Sequence, residues 1–219
     1  MKICYIIGAV PVDIEINSRE DDLIVAADGG LDSLKKAGIC PNVFLGDMDS
    51  VADPDIPDCV DIIKHPVEKD DTDTALAIEY ASERGFDNFV LYGCIGGALD
   101  HTLGNISLLK GMADKGKTAV FVDGKFGITA FSNRKLEFFK EAHGRISVFS
   151  LSERCDGVDI CGFKYETDKA VLPSTVTLGV GNEFVGKVAS VCADSGIVAV
   201  YTELENLLKH SNLFDMKRV

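Results

Sequence analysis

The stretch "FLGDMDSVADPDIPDCVDIIKHPVEKDDTDTALAIEYA", residues 44–81, holds the pattern that decides the fold. An apolar run ends at Gly46, and Asp47, Asp49 and Ser50 follow at once. A second run, "VDIIKH", leads into Lys69, Asp70, Asp71, Thr72 and Asp73, which open a helical stretch. Carboxylates two apart in an extended segment point the same way. Two acidic clusters, each at the mouth of a regular element, can share a cation that neither would hold alone.

Working outward, the same alternation continues. Short β-branched runs stand at "KICYII", "LIVAA", "NFVLYG" and "TAVFVD", with helical stretches "LDSLKKAG", "TDTALAIEYASERG" and "DHTLGNISLLKGMADKG" between them. Apolar strands alternating with helices predict an α/β domain, a parallel sheet in an α/β/α arrangement. Beyond residue 125 the runs become short and Gly-punctuated: "GRISVFSL", "GVDICGFKY", "STVTLGV", "GKVASVCA" and "GIVAVYTE", with one short helical possibility at "ELENLLKH". That spacing predicts an antiparallel β-sandwich or barrel. The expected organisation is an α/β domain over 1–130 and a β-sandwich domain over 131–219.

Composition narrows the partners. A net charge of −13 disfavours nucleic-acid backbones and anionic membranes as general partners. It leaves nucleotides open, since a bound divalent cation reverses the sign of a site locally. Seven dispersed cysteines without a CxxC pair predict buried free thiols in a reducing compartment. Lys2 precedes an apolar run from Ile3 to Val10, but Pro11, Asp13 and Glu15 follow with no small-x-small cleavage pattern. A buried first strand in a cytoplasmic protein is the expectation.

Ligands of parallel sheets collect beyond the carboxyl ends of the strands, and the polar motifs fall there repeatedly. Asp28, Gly29 and Gly30 end "LIVAADGG"; Asp47, Asp49 and Ser50 end "VFLGDMDS". Gly96 and Gly97 follow "NFVLYGCI", with Asp100 and His101 opening a helix. Taken singly, Asp-Gly-Gly is a turn and Thr72 a helix cap. Together, their carboxylates would repel unless a cation compensates. Mg²⁺ suits them, because it takes hard oxygen ligands and keeps sites for water and phosphate. The P-loop pattern G-x-x-x-x-G-K-[ST] is absent from the sequence.

With these four motifs in order, "ADGG" at 27–30, "GDMDS" at 46–50, "EKDDTDT" at 68–74 and "GGALDHTLGNI" at 96–106, the chain closely resembles the thiamine pyrophosphokinase family. "GFKY" at 162–165 and "GNE" at 181–183 resemble that family's thiamine-domain signatures. The resemblance implies transfer of the pyrophosphoryl group of ATP to thiamine, leaving AMP, by a homodimer with composite active sites. It implies Asp47, Asp49 and Asp73 as Mg²⁺ and nucleotide carboxylates. Asp28, Gly29, Gly30 and Ser50 fall on the nucleotide side, and Lys69, Asp71, Thr72, Gly96 and Gly97 near the phosphates. Asp100 matches an acidic residue before a catalytic helix, and Asn182 matches a thiamine contact. Two positions depart from the family pattern: Ala98 replaces a long, often Arg, side chain, and Gly181 replaces a Ser. With no Trp in the chain, an aromatic wall must come from Tyr or Phe, with Tyr165 and Phe184 the nearest candidates. Two other readings stay open: a different Mg²⁺-dependent phosphoryl-transfer enzyme, and a non-catalytic binder of nucleotide or thiamine.

Overall fold

The computed structural model describes residues 1–46, 57, 60–64 (Lys64 by its backbone alone) and 71–216. The chain divides into two compact units, Met1–Leu108 with Phe121–Gly124, and Leu109–Val120 with Lys125–Val219.

The first unit is built on parallel strands β1 (Cys4–Ile7), β2 (Leu23–Ala27), β3 (Val43–Gly46), β4 (Asp61–Lys64) and β5 (Asn88–Tyr92). They lie in the order β5-β1-β2-β3-β4. From β1 the chain steps outward through β2, β3 and β4, then returns to place β5 on the other side of β1. The strand order therefore reverses at β1. Such a switch point opens a crevice beyond the carboxyl ends of the strands. Ile6, Val25, Phe44, Leu45, Phe89 and Leu91 are fully buried, as strands covered on both faces require.

Helix α1 (Gly30–Ala37) buries Leu31 and Leu34 one turn apart, carries Lys35 and Lys36 in its last turn, and is closed by Gly38. Its start is pressed against β1: a Cβ on Gly30 would lie 1.9 Å from the Ile7 carbonyl oxygen, so only glycine fits. Helix α2 (Asp73–Glu83) begins at Thr72, whose Oγ1 accepts a hydrogen bond from Ala75 N at 3.3 Å. Helix α3 (Leu99–Asp114) is anchored near its start by buried Asn105, whose Nδ2 donates to the Cys94 carbonyl at 2.7 Å. Strand β6 (Thr118–Asp123) is divided between the units.

The second unit is antiparallel. Four of its strands neighbour one another in a larger sheet in the order β12 (Asn182–Glu183), β9 (Arg145–Ser150), β14 (Val198–Glu203), β7 (Phe126–Phe131). The other sheet has the order β11 (Thr167–Pro173), β10 (Arg154–Cys161), β13 (Ala189–Cys192), β8 (Lys135–Phe138). Phe138 of β8 meets Phe184, beside β12, edge to face at 5.1 Å between ring centroids, and Phe163 lies 5.0 Å from Phe184. These rings join the two sheets into the expected sandwich. Helix α4 (Leu204–Leu208) follows β14 within "ELENLLKH".

One strand expectation is overturned. "STVTLGV" at 174–180 folds as successive turns, Val176 N donating to Pro173 O and Val180 N to Thr177 O. The strand is the preceding segment, Thr167–Pro173, which pairs with β10. Alternating Val176, Leu178 and Val180 imitate a half-buried strand, but all three are exposed. Of the six described cysteines, Cys4, Cys94, Cys155 and Cys192 are buried as expected, whereas Cys40 and Cys161 are exposed. Among the described residues no helix is long and apolar enough to cross a membrane.

Candidate functional site

The parallel topology brings the segments after β2 and β5 to one edge of the first unit, the edge at which β3 ends at Gly46 and β4 at Lys64. Asp28 follows β2 with φ +52°, in the left-handed region where a short polar side chain is tolerated. Its N–H donates to Leu45 O at 2.9 Å, and a Cβ on Gly46 would lie 3.2 Å from the Asp28 Cα. Gly46, the residue before Asp47, thus ends its strand directly against Asp28. Asp47, Asp49, Ser50 and Lys69 lie outside the described residues.

Asp71 is exposed, and Asp73 occupies the first turn of α2, where the helix N-terminus favours negative charge. The adjacent Thr74 hydroxyl is 4.0 Å from the Cys94 Sγ, which places the start of α2 beside the end of β5. Burial pushes the Cys94 thiol up to about 12, so it stays protonated there.

The 96–98 loop lies against the segment after β1, a Cβ on Gly97 falling 3.2 Å from a Val10 side-chain methyl, and Asp100 follows inside the first turn of α3 rather than before the helix. Gly96 and Gly97 have φ of +89° and +66°. The Gly96 N–H donates to Thr102 Oγ1 at 3.2 Å. Asp100 and His101 are both exposed, and the Asp100 carboxylate accepts from the His101 N–H at 2.9 Å. Ala98 leaves this exposed turn without a long side chain.

A cleft of about 320 Å³ opens at the same edge, lined by Asp28, Gly29, Asp32, Ser33 and Lys36 together with residues of the segment after β1. Asp32 and Lys36 were not singled out from the sequence. The signal was present in "DGGLDSLKK", where a carboxylate and an ammonium four residues apart share one helix face. Lys36 is tied outward to Asp13 at 2.9 Å, and the ammonium holds the Asp13 carboxyl below its usual range.

The second unit holds another cleft, about 130 Å³, walled by Val158, Ile160, Leu172, Leu178 and Val180, with Tyr165 and Asn182 on its lining. Tyr165 is 63% exposed. Phe184 is instead engaged in the aromatic cluster between the sheets. Asn182 is buried, and its side chain binds main-chain groups: Oδ1 accepts from Tyr165 N at 3.0 Å and Glu183 N at 2.9 Å, and Nδ2 donates to Tyr165 O at 2.6 Å.

Among the described residues no three His, Cys, Asp or Glu side chains gather closely enough to hold a metal. The acidic groups Asp28, Asp71, Asp73 and Asp100 at this edge are all hard oxygen donors. In chemical type they fit a hard divalent cation.

Comparison with known proteins meets this geometry from outside. The family model for the thiamin pyrophosphokinase catalytic domain matches residues 16–122. The curated thiamine pyrophosphokinase of Bacillus subtilis (strain 168) is 31% identical over 179 residues, covering 79% of this chain and 83% of that protein. The crystal structure of thiamine pyrophosphokinase from Bacillus subtilis superposes with a TM-score of 0.83 at 25% identity, covering 93% of this chain and 99% of that one. The thiamin pyrophosphokinase structure from Geobacillus thermodenitrificans gives 0.79 at 27% identity, over 93% and 97% of the two chains.

Proposed function

The chain belongs to the thiamine pyrophosphokinase family, and from that premise we propose how its own residues carry the reaction. As a member of the family it transfers pyrophosphate from ATP to the thiamine hydroxyl, giving thiamine diphosphate and AMP. The hydroxyl oxygen bonds to the β-phosphorus as the bond from that phosphorus to the AMP oxygen breaks.

Asp47, Asp49 and Asp73 hold Mg²⁺ in this reading, on the nucleotide side of the sheet edge. When bound, the cation withdraws charge from the phosphate oxygens. Asp28, Gly29, Gly30 and Ser50 receive the nucleotide. Asp71, Thr72, Gly96 and Gly97 border the phosphates, with Lys69 offsetting charge on the transferred group. Thr72 does this while capping α2, so its main chain is already fixed. The Gly96 N–H is committed to Thr102, so the loop's part is to let phosphate approach a side-chain-free surface. Asp100 or Asp71, both exposed, accepts the hydroxyl proton.

The Tyr165–Asn182 cleft receives thiamine, and the active form is a homodimer in which the acidic edge of one chain serves the thiamine cleft of its partner. Among the described residues, the apolar cleft has no carboxylate cluster on its lining and the cleft at the acidic edge has no aromatic one. We place this activity in the cytoplasm.

The observation that carries the reading is the placement of the residues 28–30, 71–73 and 96–100 at one edge of a parallel sheet whose order reverses at β1. The test is product analysis after mixing the protein with ATP, Mg²⁺ and thiamine. Thiamine diphosphate with equimolar AMP is expected; ADP or free phosphate as the co-product overturns it.

A further inference from the structure

The side chain of Asn182 is spent on one neighbour. Its Oδ1 accepts from the Tyr165 and Glu183 N–H groups, and its Nδ2 donates to the Tyr165 carbonyl. An amide oxygen has two lone pairs, so Oδ1 is filled, and a single N–H remains for anything else. Both main-chain groups of Tyr165 are held by this one side chain. Tyr165 lies between β10 and β11, outside both strands.

A buried Asn that satisfies main-chain groups is ordinarily fold glue. Here the hairpin has other anchors. Phe163 bridges to Phe184 and packs on it, and Lys164 pairs with Glu183 at 3.0 Å. What Asn182 adds is fixation of one residue, and that residue presents an exposed ring at the mainly apolar cleft of about 130 Å³. Fixing the main chain that carries the ring before binding removes that part of the ordering cost from the binding step.

We infer that Asn182 is a positioning residue: it clamps the main chain of Tyr165 and thereby sets the aromatic wall of the thiamine cleft. This rests on the proposed placement of thiamine there. It assigns substrate affinity to Tyr165, with Asn182 acting through it.

The experiment has two arms. In the first, amide hydrogen exchange is followed without substrates in the wild type and Asn182→Ala. Faster exchange at Tyr165, with the β9 and β14 amides unchanged, is expected; unchanged exchange at Tyr165 overturns the clamp. In the second, kcat and both KM values are measured for Asn182→Ala, Tyr165→Leu and the double variant. Each single variant is expected to raise the thiamine KM by about threefold to thirtyfold, the range of a lost aromatic contact to a cationic ring. The ATP KM and kcat should hold. The double variant should be no worse than the worse single one, because residues acting as a unit do not add. Effects that multiply, or an ATP KM that rises in step, overturn the inference. Should Asn182→Ala fail to fold, Asn182→Asp replaces it in both arms. It keeps the two acceptor bonds but turns a carboxylate oxygen toward the Tyr165 carbonyl where Nδ2 donated, so a KM rise of the same order is expected under the same double-variant criterion. A wild type that makes no thiamine diphosphate overturns the parent reading, and is distinguishable because the exchange arm reads the clamp without thiamine.

Discussion

Gly8 and Gly93 lie backbone to backbone where β1 and β5 end. The Gly8 N–H donates to Tyr92 O at 2.7 Å, Val10 N donates to Gly93 O at 3.1 Å, and a Cβ on Gly93 would stand 2.6 Å from the Gly8 carbonyl oxygen. Gly93 also has φ +64°. This contact closes the switch point, so the residues that follow, Val10 on one side and Gly96 and Gly97 on the other, inherit their positions from it. Gly93→Ala is expected to destabilise the protein by ~2 kcal/mol or more, the left-handed penalty plus the clash. Thermal unfolding should show a midpoint lower by roughly 4–8 °C. An unchanged midpoint would mean the strand ends relax at little cost.

Catalysis should require a divalent cation. Asp47→Asn, Asp49→Asn and Asp73→Asn should each lower kcat by about 10²-fold or more, as loss of a charge-stabilising group does. Asp73→Asn, at a helix N-terminus, should cost the fold less than ~1 kcal/mol. Circular dichroism and turnover measured on the same samples separate the two effects. Near-normal turnover in the folded variants would remove these carboxylates from the metal site.

The shared-site arrangement can be read by complementation. An Asp49→Asn chain mixed with an Asn182→Ala chain should form heterodimers with one wholly intact site. At thiamine concentrations far below the KM of the Asn182→Ala homodimer, activity should return towards half that of the wild type per heterodimer. Demonstrated heterodimers without recovered activity would place each site within one chain.

Burial of Cys94 predicts an alkaline loss of stability. Its thiol rises from an ordinary 9.0 to about 12 in the folded protein, through desolvation first. A raised folded value means the contribution is complete below the unfolded value. It is then lost as pH climbs from about 9 towards 12, where the unfolded chain ionises and the folded chain does not. Denaturant unfolding at pH 8, 9 and 10 should show stability falling, with a limiting slope of ~1.4 kcal/mol per pH unit for one proton. Cys94→Ala should remove one proton's share of that slope, the buried Cys4 thiol, raised in the same direction, keeping its own, whatever the variant does to stability at pH 8. An identical slope in the variant would assign the loss to other groups.

The strand–helix alternation was legible because burial on both faces leaves continuous apolar runs, and α1 and α2 carry their caps, Gly38 and Thr72, in the sequence itself. The order of the acidic and glycine motifs was likewise legible, and with it the family. Apolar alternation failed at 174–180, since period two records which residues are apolar and not what covers them. Asn182 was visible as part of a motif, but its attachment was not: Tyr165 is 17 residues away, and only the turn between β10 and β11 brings its main chain to the amide. The same holds for Gly8 against Gly93, which meet because β5 returns to the flank of β1. Local periodicity and capping follow from neighbours in the chain, so the sequence determined the elements, the motifs and the chemistry they suit. Strand order, close backbone approach and the partners of buried polar groups depend on segments distant in the chain, and those only the tertiary structure decided.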